Sequence, residues 1–516
     1  MRKRFFKPIQ IGSATAIIAT TSFLSYAIGL FRDRIIAVNF GTTSATDTYN
    51  ASFLIPDMLF NLFIAGALTA AFLPIFTEYL TKDKKEAYKV ANTMLSGASI
   101  LIAVLATIAF IFMGKIIPFI FGDASLEMQT DMINMTRLML PSAVLFAISN
   151  TLGNILMSYK HFTAYAISPI LYNLGIIIGV VSFSERLGIY AAATGVLIGA
   201  SLHCLIRIID TFSTDYRYKP QLNLKHKGFK KIIKLMIPKS ISLIAWQANL
   251  YIFAIVGIRM VEGGLAAFHF ARNIQSFAVS LFGISFATAV FPFLTTAISR
   301  GDKKAYVEHI QKTIQRILFF TIPAMAGVMV LSSQLVELIL SGGVFEEKSV
   351  ALTSTILFFF AISIPFESLS HILARAFYAL KNTMTPMIVN VTSMTIIAAS
   401  TIFLAPKYGV QWFSIGFSVG FAVYILLMTI LLRKHLKGFE VKLFSSSLIK
   451  TVFSTGIMVA VILNLGTSLE SLMPVKIAQL LSIFIGAGTF FLSAFLVRSP
   501  EISSIKYIID RVLKKS

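Results

Sequence analysis

The chain has a single cysteine, only 23 acidic residues and seven scattered histidines in 516 positions. Each scarcity closes off a kind of chemistry. Cys204 has no partner, so neither a disulfide nor a thiolate metal site can form. The acids lie mostly in loops, and the sequence holds no HExxH, no P-loop and no nucleophile elbow. Hydrolysis and group transfer are left without machinery. The expectation is a protein that is not an enzyme and needs no metal or cofactor. Charged residues make up only 13% of the chain and hydrophobic ones 56%, far too apolar for a soluble protein of this length.

What is present is a succession of apolar runs. About fourteen meet the ~20-residue criterion for crossing a bilayer, with no interval long enough for a soluble domain. The fold expected is therefore an all-α polytopic membrane protein. The net charge of +22 first suggests nucleic acid, but its distribution argues against that partner. Lys and Arg gather in alternate loops: 2–7, 82–89, 160, 217–234, 300–316, 381, 433–450 and the tail. Loops 122–131, 184–188, 341–348 and 467–474 are poor in them. Roughly 32 basic residues fall on one side and roughly 8 on the other, which puts both termini in the cytoplasm. The amino terminus resembles a signal peptide but lacks a convincing cleavage site, so it reads as the first membrane helix.

One unit occurs twice. Ala70-Ala71-Phe72-Leu73-Pro74 precedes the basic loop Lys82-Asp83-Lys84-Lys85-Glu86-Ala87-Tyr88, and Ala289-Val290-Phe291-Pro292 precedes Asp302-Lys303-Lys304-Ala305-Tyr306. The steps agree, 292−74 = 218 and 306−88 = 218. Pro169 with Asn173 repeats as Pro386 with Asn390, where 386−169 = 217. Helices are expected near 10–31, 48–76, 90–117, 133–157, 163–184 and 188–210, then near 235–260, 265–298, 314–339, 350–378, 386–405 and 409–432. Two more follow near 447–466 and 475–497. Six helices per copy is an even number, so the copies run parallel. The division expected is an N-lobe over 1–211, a basic linker over 212–234, a C-lobe over 235–433, a final helix pair over 434–498 and an amphipathic interfacial tail over 499–516. The basic part of the linker, 225–234, is expected on the membrane surface.

Charges at membrane depth are the clue to function, because each costs several kcal/mol unless paired or facing water. Arg32, Asp33 and Arg34 follow the first apolar run, and Arg272 and Arg375 sit inside later ones. Asp47, Asp57, Glu262, His269, Glu367 and His371 are further candidates. Guanidinium groups suit phosphate, since the planar fork donates two parallel hydrogen bonds. The functional reading is a cationic cavity between the lobes. Plainer readings stand beside it. Arg32 with Asp33 can be a local ion pair, and Arg34 or Arg375 can snorkel to headgroups. His203 and His371 can be satisfied interior or rim histidines. Asn173 and Asn390 can make interhelical hydrogen bonds, and glycine pairs such as Gly175 and Gly179 can mark close helix packing.

These residues resemble a family. The run from Leu30 to Gly41, LFRDRIIAVNFG, then Ala45-Thr46-Asp47, is similar to the opening signature of the MurJ (MviN) lipid II flippases. These belong to the multidrug/oligosaccharidyl-lipid/polysaccharide exporter superfamily. Ser168-Pro169-Ile170-Leu171-Tyr172-Asn173-Leu174, Phe270-Ala271-Arg272 and Ala374-Arg375-Ala376-Phe377-Tyr378 continue the likeness in the right order. The resemblance implies fourteen helices in two lobes of six with a cationic cavity, and a last pair forming a groove for a lipid tail. It implies a monomeric transporter of the bacterial inner membrane, in contact with membrane lipids. The substrate implied is lipid II or a related polyprenyl-pyrophosphate glycan, carried outward by alternating access for peptidoglycan synthesis. A membrane potential can contribute, at about 2.3 kcal/mol per charge per 100 mV.

The substrate-binding set carried over is Arg32, Asp33, Arg34, Arg272 and Arg375, with Ser25, Tyr26, Asn61 and Gln275. Departures fall within it. Ser25-Tyr26 stands where the family has Ser-Arg, Phe60-Asn61 where it has Arg-Arg, and Ile64-Ala65-Gly66 where it has Ala-Glu-Gly. Gln275 replaces an acid, as does Phe253 early in the seventh helix. Export of cationic drugs is one rival, disfavoured by the missing acids at 65 and 275. Another polyprenyl-linked glycan is a second, and a scaffold that kept the fold without transport is a third.

Overall fold

The computed structural model describes residues 11–61, 66–436 and 446–502. Among them every regular element is helical. Eleven helices are long and apolar enough to cross a membrane, twelve if one bent pair counts as a single span. The interfacial tail expected beyond 502 and the helix-2 positions 62–65 lie outside the described residues.

The first compact unit comprises residues up to Ala266 together with Gly342–Glu346. It holds α1 (Ile11–Phe40), α2 (Ser44–Ser52), α3 (Leu54–Phe60), α4 (Gly66–Lys82), α5 (Lys84–Ile120), α6 (Leu126–Ser158), α7 (Thr163–Leu187), α8 (Tyr190–Thr211) and α9 (Lys227–Met260). The first helix runs nine residues past the expected end at 31, so Arg32, Asp33 and Arg34 lie inside it and not at its terminus. The second run, expected as one helix, breaks after Ser52. Pro56 lacks the N–H that would bond the Ser52 carbonyl. Thr136 Oγ1 of α6 donates to that carbonyl instead, at 3.2 Å.

Glycines set the closest approach in this unit. A Cβ on Gly175 of α7 would lie 2.2 Å from the Gly199 Cα of α8, so the two backbones meet without side chains between them. The linker is strapped down as well. The buried Tyr216 donates its hydroxyl to Asn92 Oδ1 at 2.7 Å, Lys219 N donates to the same oxygen at 3.2 Å, and Asn223 N donates to Thr93 Oγ1 at 3.2 Å. Its basic end is helical. It is the opening of α9, capped by His226, whose ring nitrogen accepts from Gly228 N at 3.0 Å. α9 opens the second sequence repeat yet packs against α4, so the repeat boundary and the compact-unit boundary differ.

The end of this unit opposite the basic linker is closed by reciprocal capping. Asp47 of α2 accepts from Gly263 N and Ala266 N, both at 2.8 Å, and Glu262 accepts from Ser44 N at 3.2 Å. Ser44 and Glu262 are 218 positions apart, the same step as the sequence repeat. Equivalent points of the two copies thus cap each other's helix starts, where unpaired N–H groups and the helix dipole favour a carboxylate. Gly263 has φ +76°, and a Cβ there would sit 2.0 Å from the Thr42 carbonyl oxygen. Val344 N donates to Val38 O at 2.9 Å, fastening the 342–346 loop to the end of α1.

The second unit takes Ala267–Ser341 and the chain from Glu347 onward. It holds most of α10 (Gly264–Ala278), a π-helical turn at Val279–Ile284, α11 (Ser285–Ser299), α12 (Lys303–Val330) and α13 (Ser332–Leu340). Then come α14 (Glu347–Ala361), α15 (Ser363–Ala379), α16 (Met384–Phe403), α17 (Ala405–Tyr408), α18 (Gln411–His435), α19 (Ser446–Leu472) and α20 (Val475–Leu496). The span expected over 350–378 is two helices bent by 45° at Ile362. Pro365 accounts for the bend, since it removes the donor that Ala361 O would use. The core of this unit is built on Phe377, Tyr306, Leu373 and Ile317, with a second cluster where Phe319 of α12 meets Met458 of α19 and Phe490 of α20.

Candidate functional site

In the first unit Pro169 sets the frame. It leaves the Tyr165 carbonyl without a helical donor, and the Ser168 hydroxyl fills that role at 3.0 Å. One turn on, Asn173 Nδ2 donates to Pro169 O at 3.2 Å and reaches α1 at Ser25 O, 3.4 Å away. Its Oδ1 then accepts from Arg32 Nη1 at 2.9 Å. Arg32 also donates to Asp33 Oδ1 through Nε at 3.1 Å and Nη2 at 2.6 Å. Asn173 is thus an interhelical bond, as its spacing allowed, and it orients the guanidinium. Arg34 is partly buried and Tyr26 is 40% exposed. Asn61 Nδ2 meets Gln247 Oε1 of α9 at 3.4 Å, and Tyr251 donates to Leu54 O at 3.0 Å.

In the second unit Arg272 is gripped from two helices. Glu367 of α15 takes it end-on through two parallel bonds, Nη1 to Oε2 and Nη2 to Oε1, both 2.7 Å. Gln275, one turn along α10, accepts from Arg272 Nη1. Its own Nε2 donates to Glu367 Oε2 at 3.0 Å and Ser363 Oγ at 2.9 Å. The guanidinium carbon lies 4.8 Å from the Phe417 ring centroid and 5.8 Å from that of Phe360. Arg375 binds within the same unit, to His371 O at 3.2 Å and Thr288 Oγ1 at 2.9 Å.

Each principal arginine carries a carboxylate: Arg32 meets one oxygen of Asp33, the local ion pair that the sequence allowed, and Arg272 meets both oxygens of Glu367, the bidentate form that adds geometric specificity. Gln275 is not an acid, and the carboxylate on Arg272 comes from Glu367, 95 residues after that arginine. Of the expected set, Arg32, Asp33 and the Ser25 carbonyl come together in one unit and Arg272 with Gln275 in the other. Arg375 and Asn61 have separate partners. His203 is a satisfied interior histidine, bonded to Ser149 Oγ at 2.8 Å.

Sequence reasoning passed over Arg207. It is 3% exposed and has no carboxylate partner among the described residues. Its bonds go to Ser168 Oγ at 2.9 Å and, at 3.0 Å each, to Ser149 O and Asn150 Oδ1, with its carbon 4.9 Å from the Tyr165 ring centroid. Gly153 makes the room, because a Cβ there would meet Arg207 Nη1 at 2.7 Å. The signal was available as an arginine late in an apolar run. The second unit also has a largely apolar, partly open pocket of about 260 Å³ between α12, α19 and α20, lined by Phe282, Phe320, Met458, Ile462, Ile483 and Phe490 among others.

Comparison with known proteins fits this architecture. The sequence model of the family described as lipid II flippase MurJ matches residues 36–483. The chain belongs to the MurJ lipid II flippase family. It is 27% identical over 492 residues to a probable lipid II flippase MurJ of Rickettsia prowazekii, covering 93% of this chain and 97% of that one. A probable lipid II flippase MurJ of Thermotoga maritima is 26% identical over 485 residues, with 94% and 96% covered. A solved structure described as lipid II flippase MurJ in an inward closed conformation superposes with TM-score 0.79 at 25% identity, covering 93% of this chain and 98% of the other. An inward-facing multidrug resistance MATE transporter shares the fold, at TM-score 0.67 and 15% identity. The chain is a multi-span membrane transporter and not an enzyme.

Proposed function

We propose that this chain moves lipid II, an undecaprenyl-pyrophosphate-linked disaccharide-pentapeptide, from the inner to the outer leaflet of a bacterial inner membrane. The observation that carries this reading is the near full-length match to MurJ proteins in sequence and fold. Fourteen spans, cytoplasmic termini and a monomer are part of it. Arg32 in the first unit and Arg272 in the second are the groups assigned to the pyrophosphate, each exchanging part of its carboxylate pairing for phosphate oxygens when substrate is bound. The largely apolar pocket between α12, α19 and α20 suits an isoprenoid chain, which has no polar atom to satisfy and gains from burial. Transport then needs no bond to break, only alternation between states that favour the headgroup on either side.

The decisive test is complementation of a flippase-depleted strain by the wild-type chain. Restored growth with lipid II reaching the outer leaflet is expected. Membrane insertion at normal levels without rescue would overturn the reading, and would favour the scaffold or another lipid-linked glycan.

A further inference from the structure

The described part of the second span carries one more charge than the first unit uses. Asp57 lies on α3, five residues after the break at Ser52, partly buried within the apolar run that the sequence marks as the second span. Its backbone N–H is used in the helix, donating to Phe53 O at 2.8 Å. Its carboxyl makes no hydrogen bond or ion pair among the described residues. Every other acid of this unit named so far is occupied: Asp33 by Arg32, Asp47 and Glu262 by backbone N–H groups.

The surroundings are polar and, among the described residues, hold no matching cation. The ionisable side chains in electrostatic reach of Asp57 are the phenols of Tyr49 on α2, Tyr172 on α7 and Tyr251 on α9. Helices α5 and α6 also pack against α3 and present it no charged partner. Gln247, one turn before Tyr251, is 3% exposed, and its Nε2 has no hydrogen-bond partner. So a donor without an acceptor and a carboxyl without a donor occur on neighbouring helices. Tyr172 is in electrostatic reach of both Asp57 and Arg32, so one phenol stands between this acid and the guanidinium assigned to substrate.

We propose that Asp57 is a proton-binding site of the transport cycle, its carboxylate taking one proton from water and returning it in another state. An unpaired carboxylate within such a run is costly, and protonation removes the cost without another residue. The consequence for substrate follows from charge. With Asp57 ionised, Arg32 is outnumbered by two carboxylates; with Asp57 protonated, Arg32 and Asp33 balance. An anionic headgroup is repelled by the first arrangement and accepted by the second. Proton loading therefore favours headgroup loading, and flipping is coupled to protons. No group of three or more His, Cys, Asp or Glu side chains that could hold a metal ion occurs among the described residues. The coupling rests on the flippase reading; the proton site does not.

The test is labelling with a hydrophobic carbodiimide, which reacts with protonated carboxyls in apolar surroundings. The full chain in lipid nanodiscs is treated between pH 5.5 and 8.5, and the adduct is located by mass spectrometry. Labelling at Asp57 that follows a one-proton titration curve, and its loss in Asp57→Asn, are the expected results. No label at pH 5.5, or label that does not vary with pH, would overturn the proton site. In proteoliposomes loaded with lipid II, an imposed pH gradient should change the flipping rate of the wild type and not of Asp57→Asn. Equal responses from the two would overturn the coupling while leaving the labelling result to stand. Absence of flipping in the wild type counts against the flippase reading, and the labelling still decides Asp57.

Discussion

Arg272 and Glu367 offer the sharpest quantitative test. Their side chains are 18% and 9% exposed and joined by two bonds of 2.7 Å, so solvent screens the pair little. Breaking such a buried pair by removing one partner costs about 3–5 kcal/mol, because the other charge stays behind. Arg272→Met leaves Glu367 only the Gln275 amide, at 3.0 Å. Glu367→Leu leaves the guanidinium against Phe360 and Phe417 with the Gln275 oxygen. Each single variant should lose roughly that amount, while the double variant should be near neutral or even gain, since an apolar pair of similar volume often matches a buried ion pair. The coupling energy is then about 6 kcal/mol or more, far above the range for neighbours that merely touch. Reversible unfolding in mixed micelles measures it. A double variant as destabilised as the two singles together would refute the pair's description. The double variant also separates fold from function: it should insert normally and fail to complement. Arg272→Ala alone cannot make that separation, because it strands Glu367.

Other outcomes follow from single features. Asp47→Ala removes a carboxylate from two backbone N–H groups at a buried helix start; a loss of about 2–4 kcal/mol is expected, with faster hydrogen exchange at residues 263–266. Gly199→Leu should prevent α7 and α8 from closing, since a Cβ there already lies 2.3 Å from the Tyr172 carbonyl oxygen; poor insertion and loss of monodisperse protein are the readouts. Arg207→Met should cost little or stabilise, because its guanidinium is buried without an acid, and a loss above about 3 kcal/mol would show that its three hydrogen bonds outweigh desolvation.

Much of the fold was legible because membrane chains have few options. Every backbone group must bond within its own helix, so length and hydropathy locate the spans. The repeat step of 218 was in the sequence, and it reappears in space as the Ser44–Glu262 bond. The breaks were harder to see. Pro56 and Pro365 were visible, yet whether a proline bends a helix or is absorbed depends on what reaches the freed carbonyl: Thr136 for Ser52, Ser168 for Tyr165. The linker's attachment was not legible either. Its docking depends on Tyr216, Lys219 and Asn223 meeting Asn92 and Thr93 on one turn of α5, a match that no local pattern in 212–234 announces.

The candidate site was half legible, for a physical reason. Arg32 and Arg272 stood out because charge is scarce at depth, and scarcity is a property of the sequence. Their partners are a property of the fold. Asp33 is adjacent and could be read; Glu367 could not, since the bend at Ile362 and the turn from Ser363 decide that it meets Arg272 and not water. That pairing also changes what the substitutions mean. An amide at 275 looks like loss of charge balance, but Glu367 on another helix supplies a carboxylate to Arg272, with Gln275 as the hydrogen-bond bridge. The second span is the contrary case. Phe60 and Asn61 stand where the resemblance leads one to expect two arginines, and Asp57 lies on the same helix, so its described part carries a negative charge and no positive one. A site that must hold pyrophosphate under those conditions needs a way to cancel that charge, and in this unit protonation of Asp57 is the route that its unpartnered surroundings leave open.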